Sequence, residues 1–168
     1  AAASVVEWQV IESANFFVQT GEAATATTAD SVLNVNLPVA VNLNNSFIII
    51  SSRINTGTNS ELVRSFWTAE FVNETRFNLT RGVTGTHSQV RWFVVSFEGA
   101  EVQRGTAVAT TSPSIAPLPQ PVNLENSFLI FQTRATDTNA QSIMVQGGFA
   151  NNGNLFFRRS SATGTTTV

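Results

Sequence analysis

Apolar and polar residues alternate with a period of two along most of this chain, which is the period of a β-strand. In Ser4 to Glu12, Val6, Trp8 and Val10 fall on one face, and Val5, Glu7, Gln9 and Ile11 on the other. The turn Ser13-Ala14-Asn15 leads into a second strand, Phe16 to Gly21, and the pair reads as a hairpin. Val90 to Phe97, the turn Glu98-Gly99-Ala100 and Glu101 to Thr106 read as a matching hairpin. Ser46 to Arg53 and Ser127 to Arg134 are the most apolar runs and are expected to be central strands. Val63, Ser65, Trp67, Ala69 and Phe71 alternate inward, as do Ile143, Val145, Gly147 and Phe149. Phe77 and Leu79 alternate against Arg76, Asn78 and Thr80, with counterparts in Leu155 to Arg159. Arg158-Arg159 breaks strict alternation and is expected to mark an edge guarded by charge. No segment carries a helical period.

The pattern occurs twice. Val5-Val6-Glu7-Trp8-Gln9-Val10-Ile11 returns as Val90-Arg91-Trp92-Phe93-Val94-Val95, and Val18-Gln19-Thr20-Gly21 as Val102-Gln103-Arg104-Gly105, with Trp8 and Trp92 84 positions apart. Asn42-Leu43-Asn44-Asn45-Ser46-Phe47 returns as Asn123-Leu124-Glu125-Asn126-Ser127-Phe128, 81 positions on. Strands are kept while loop lengths drift, the mark of an internal repeat. The expected fold is all-β: two tandem antiparallel β-sandwich units, residues 1–89 and 90–168, each with about five or six strands and frequent turns. Pro113, Pro117, Pro119 and Pro121 make one crossover extended and unsuited to a central ladder.

The two tryptophan strands differ on their second face. It is Glu7 and Gln9 in the first but Arg91, Phe93, Val95 and Phe97 in the second. A strand apolar on both faces is usually covered on both, so Phe93, Val95 and Phe97 are expected between the units. In Phe16-Phe17 and Phe156-Phe157, adjacent side chains face opposite sides, so one of each pair must leave its own core face. These phenylalanines, with Val5, Val6, Trp8, Val10 and Ile11, are candidates for contact with another unit or subunit.

Composition narrows the chemistry. Thr, Val and Asn number 21, 19 and 16, favouring strands and polar turns. Charged residues are only 12%, the net charge is -2, and no basic stretch marks a nucleic-acid partner. Cysteine is absent, which removes disulfides and thiolate metal sites. Lysine is absent too, which removes Lys–Asn isopeptide crosslinks. No apolar run is long enough to span a membrane as a helix. Ala1-Ala2-Ala3-Ser4 suits either a mature end after signal cleavage or the edge of a longer chain. Sequons at Asn44, Asn73 and Asn78 permit glycosylation in a secreted setting.

Catalytic constellations are scarce. His87 is the only histidine and lies in a turn, with Ser88 diverging from it. Glu70 with Glu74, and Glu98 with Glu101, read as solvated turn or edge residues rather than an acid/base pair. Asp137-Thr138-Asn139 offers oxygen ligands but far fewer than a calcium loop needs. Trp8, Trp67 and Trp92 fall at inward positions, and a sugar platform would require one of them to be exposed.

The stretch Val90 to Gly105 resembles a segment of tandem-repeat secreted bacterial β-sandwich surface and fibre proteins, and its Trp-x-Val-Val run loosely resembles the closing strand of H-type lectin domains. The first resemblance implies a surface or fibre protein; the second implies sugar binding through loop residues of a trimer. The expectation is a non-enzymatic, extracellular or cell-surface structural protein without cofactor: a subunit or repeat segment of a filament, sheath or adhesin stalk, partnered by copies of itself and by surface glycans. The alternative is a lectin-like carbohydrate-binding module. The second copy reaches Thr165-Thr166-Thr167-Val168 where a tryptophan strand would follow, while Val5 to Ile11 is a strand of that type with no unit before it. Donation of this strand to a neighbouring copy is the assembly mode this predicts.

Overall fold

The computed structural model describes residues 5–55, 59–139, 143–160 and 164–168. The fold is all-β; the described residues form four antiparallel three-stranded sheets and, besides these, only short 3-10 turns. In the first half, β1 (Phe16–Ala24), β6 (Ser88–Phe97) and β3 (Ser46–Ile54) form one sheet with β6 in the middle. β2 (Val32–Asn36), β5 (Arg76–Arg81) and β4 (Trp67–Asn73) form the other, with β5 in the middle. Val90, Trp92 and Val94 of β6 and Ile48 of β3 pack against Val35, Trp67, Phe77 and Leu79 of the facing sheet. Phe77 and Leu79 are wholly buried. The alternation in Phe77-Asn78-Leu79 thus places apolar side chains inside and leaves Asn78 on the outer face.

The second half repeats this strand order in shortened form. β7 (Val108–Ala109), β12 (Thr166–Thr167) and β9 (Arg134–Ala135) form one sheet, with β12 in the middle. β10 (Val145–Asn151), β11 (Asn154–Arg159) and β8 (Ser114–Pro117) form the other, with β11 in the middle. Single hydrogen bonds recur as well. The Gln19 amide bonds Val39 through both its oxygen (2.9 Å) and its nitrogen (2.8 Å), and the Gln103 amide does the same with Gln120 at 2.9 and 3.0 Å. Asn42 caps a 3-10 turn by accepting from the Asn44 N–H at 3.0 Å, and Asn123 accepts from Glu125 N–H at 3.0 Å. Val41 N–H donates to Glu74 O at 2.9 Å, and Val122 N–H to Asn152 O at 2.8 Å. Such bonds depend on backbone path rather than on composition.

Several expectations need correction. Neither expected hairpin exists: β1 pairs with the distant β6, with Gly21 opposite Trp92, and residues 101–106 carry no strand. The turn at Glu98-Gly99 therefore leads out of the sheet. The division between residues 89 and 90 falls inside β6, which closes the sheet of the strands before it. β3 is an edge strand and β6 the central one. The strongly apolar run Ser46 to Arg53 is expected to be central, but strand position follows the pairing partner, not hydropathy alone. Val63 and Ser65 lie in a 3-10 turn, Asn59–Ser65, ahead of β4. Arg158 and Arg159 lie on the central strand β11, so they guard no edge. Arg159 is buried and donates to Thr166 Oγ1 at 2.8 Å. The proline-bearing β8 does lie at an edge, where a missing N–H costs no ladder bond.

Arg81 is the buried cation of the first half. Its guanidinium donates to the carbonyls of Asp30 (2.7 Å), Thr86 (2.9 Å), Thr28 (3.1 Å) and Arg64 (3.2 Å), and stands 5.0 Å from the Trp67 ring centre. Burial, offset in part by Asp30, lowers its pKa from the ordinary arginine value. One planar fork thereby ties the backbone at Thr28–Asp30, at Arg64 and at Thr86 to β5. Arg81→Ala should destabilise by about 3 kcal/mol or more, since it orphans buried carbonyls as well as removing volume. Chemical denaturation with the midpoint compared to wild type measures it, and Arg81→Lys should recover only a small part.

Candidate assembly site

The site is best understood from its finished counterpart. β6 lies between β1 and β3 along its whole length, with Trp92 opposite Gly21 on one side and Ile50 on the other. A Cβ built on Gly21 would lie 2.4 Å from Trp92 Cζ2, so only glycine leaves room for the indole. The ring stands edge-on to Phe77 at 5.5 Å between centres and is 5% exposed. Thr20 Oγ1 donates to Trp92 O at 2.8 Å, and the hydroxyls of Ser46 and Ser96 meet at 2.7 Å.

In the second half the central strand is β12, and Val168 beyond it exchanges two backbone bonds with Ala107 at 2.9 and 3.0 Å. Residues 101–106 and 127–133 are without strand partners among the described residues. Interior positions beside them are only partly covered. Leu155 is half-buried where Phe77 is wholly buried, Val145 is half-buried where Trp67 is buried, and Phe131 is 37% exposed. Gly105, which stands where Gly21 stands in the first half, has no atom within 4 Å of an added Cβ. Its φ is not positive, so backbone geometry does not call for glycine there either.

Both flanks are held in place. Beside the Gln103–Gln120 clamp, the Arg104 guanidinium donates to Leu43 O and Ser46 O and lies 5.2 Å from the Phe71 ring centre. On the far side, Gln132 donates to Ile48 O at 3.0 Å and accepts from Ala69 N–H at 2.6 Å, while Arg134 donates to Thr68 Oγ1. The two rims are thus fastened to the first half by polar side chains rather than left to close on each other.

Residues 5–11 carry no strand, and every one of them is exposed. Trp8 is 78% exposed, and Val5, Val6, Val10 and Ile11 are comparably open. A run of five apolar side chains in water is unusual for a settled surface. The other candidates separate. Phe16 and Phe97 are half-buried and stack edge to face at 4.8 Å, whereas Phe17 is open to solvent. Phe157 is buried against Phe131, ring centres 5.7 Å apart, and Phe156 is half-buried. Val95 is buried, but Phe93 is 38% exposed, against the expectation that the other unit would cover it. The outer face of β6 is covered only toward its C-terminal end, because the second half docks elsewhere, along Ala69, Ile48 and Thr68. Asn44 and Asn73 are exposed at turns; Asn78 is half-buried in the middle of a sheet with Oδ1 shut from solvent.

His87 is exposed, and Nδ1 meets Thr25 Oγ1 at 3.5 Å and Thr25 O at 3.4 Å. No group of three or more His, Asp or Glu side chains among the described residues converges to hold a metal ion. Asp137 Oδ1 accepts from the Asn139 N–H instead, a local turn bond. Asp30 is held below the usual carboxylate range by the Thr27 N–H and hydroxyl, both at 2.8 Å. No helix of the described residues is long and apolar enough to cross a membrane.

No family model, curated protein or solved structure matches the chain.

Gly105 is the site residue that sequence reasoning did not single out. It was visible as the partner of Gly21 in the repeat, but its meaning depends on seeing an indole over one glycine and empty space over the other. Gly21→Val should therefore destabilise the isolated chain by about 2 kcal/mol or more through overpacking against Trp92. Gly105→Val should leave its unfolding midpoint unchanged, and a pair of thermal melts checks both. His87→Ala should shift stability by less than about 0.5 kcal/mol, as an exposed side chain away from buried networks does.

Proposed function

We propose that this protein is a non-enzymatic structural subunit or repeat segment of an extracellular filament, sheath or adhesin stalk, assembling head to tail as each copy inserts its segment 5–11 into a sheet of the next. The observation that supports this reading is the apolar run at residues 5–11, every residue of it exposed and outside any strand, although the similar run Val90 to Val95 forms the central strand β6. Such a run leaves apolar area in water, which is costly. Inserting it into a sheet of another copy removes that cost, with main-chain bonds on either side of the inserted strand. The contact uses different surfaces on the two partners, so repetition builds a line rather than a closed pair.

An extracellular setting is supported by the sequons, of which Asn44 and Asn73 present exposed side chains that glycans could extend from. Mass spectrometry of natively produced protein should find glycan on Asn73 or Asn44 in preference to the half-buried Asn78. The lectin reading gains less. Trp8 is exposed as a sugar platform would require, but it is flanked by Glu7 and Gln9 on a segment without secondary structure. Sugar-stacking rings depend on a fixed neighbourhood of polar groups.

Removing residues 1–12 tests assembly directly. Full-length protein should form filaments by negative-stain microscopy, and the truncated chain should remain non-polymeric at the same concentration. Undiminished filaments from the truncated chain would sink the proposal.

A further inference from the structure

The two outer faces of the first half are unlike each other. On the sheet of β2, β5 and β4, Asn34, Asn78 and Glu70 stand side by side in one row, with Val32, Thr80 and Thr68 in the next. That is the kind of face an antiparallel sheet turns to water. On the sheet of β1, β6 and β3, Val90, Trp92 and Val94 point into the core, so Arg91, Phe93 and Val95 point out. The register sets Val18, Val95 and Phe47 in one outer row, Thr20, Phe93 and Ile49 in the next, and Glu22, Arg91 and Ser51 in the third. Val18, Ile49 and Phe93 are 47%, 40% and 38% exposed. Phe128 of the second half stands edge-on to Phe47 at 6.3 Å between ring centres and carries the apolar surface past β3. A contiguous apolar patch across the middle strand of a sheet marks a contact surface rather than a wet face.

We infer that this face pairs with the same face of a second copy, the two sheets packed face to face across a two-fold axis that runs along β6. A flat sheet without a groove is matched by another sheet, which packs about 10 Å away with its strands nearly aligned. The apolar rows lie toward one end of the strands and the charged row toward the other. An axis along β6 keeps every row at its own level, so apolar rows meet apolar rows and the charged row meets itself. An axis across the strands would stack only the apolar rows and leave the charged one outside the contact.

Charge agrees with this axis. It lays β1 of each copy over β3 of the other, so Glu22 comes over Ser51, with Arg53 next on the same face of that strand. The two Arg91 side chains meet near the axis, each with Glu22 of its own copy on one side and Glu22 of the other copy on the other. An acid on one edge strand and a base on the opposite edge strand make a surface complementary to itself. The face is nine residues long on β1 and three strands wide. It spans roughly 15 Å by 27 Å, about 400 Å² of sheet plane on each copy. That is below a standard interface of about 800 Å² per partner, so the pairing is weak and depends on concentration.

The chain has no cysteine, so a single introduced thiol reports the contact without background. Gln89 points outward from β6, on the axis, and Gln89→Cys should be joined to its counterpart in a second copy by a bismaleimide spanning about 10 Å, the spacing of packed sheets. Asn78→Cys, in the middle of the polar outer face, should give no such dimer. Adding Phe93→Asp should remove the Gln89→Cys product while the circular dichroism spectrum stays that of the folded chain. Glu22→Arg should cut the yield several-fold, and Glu22→Arg with Arg53→Glu should restore it. Equal crosslinking through Asn78→Cys, a yield unmoved by Phe93→Asp, or no Gln89→Cys product up to millimolar protein would overturn the pairing. Binding to phosphatidylcholine vesicles that needs Phe93, without the crosslink, would assign the face to a bilayer and overturn it as well. The pairing does not rest on the filament reading. Filaments that give no Gln89→Cys product would remove the pairing alone, and crosslinked dimers from a chain that never polymerises would remove the filament alone.

Discussion

A tryptophan laid on a glycine is the contact on which the first half depends. Trp92 can enter the core only because Gly21 has no side chain, and its entry brings β6 between β1 and β3. Phe77 then packs against the indole, and Val90 and Val94 follow on the same face. The central strand arrives late in sequence, so the sheet is closed by contacts of long range: β6 reaches back across the chain to β1. A sheet of this kind is incomplete until its last strand is in place, which makes closure the step that secures the rest.

The second half uses the same strand order around a much shorter central strand. Its amide clamp, its turn caps and its strand order repeat those of the first half, but the interior is only partly sealed beside Gly105, Phe131 and Leu155. Arg104, Gln132 and Arg134 fasten these segments to the first half by polar side chains.

Much of this was legible in the sequence. The period-two alternation gave the strands β4, β5, β10 and β11, because in each of these one face is inside and one outside. The spacing of 81 set Arg53 against Arg134, and the strand pairing follows it: Gln89 faces Arg53 as Thr167 faces Arg134. Trp8, 84 positions before Trp92, instead lies outside any strand. What could not be read was which strands pair. Adjacent strands separated by a short turn look like hairpins, yet β1 chose β6 over the segment preceding it, and no local signal records a partner 70 residues distant. The burial of Arg81 was equally hidden, since an arginine at the end of an alternating strand looks like surface until four carbonyls are found around it. Phe93 misled in the opposite direction: its hydropathy argued for cover that the docking of the second half does not provide.

The placement of β6 has a mechanical consequence. A strand bonded on both flanks over nine residues, antiparallel to each neighbour, cannot be peeled away one bond at a time by tension along its own axis. Such tension loads both ladders in shear, so that many bonds must fail together, while the indole must also be dragged off its glycine through a packed interior. Resistance to pulling would then come from strand geometry alone, in a chain that has neither cysteine nor lysine with which to weld itself covalently.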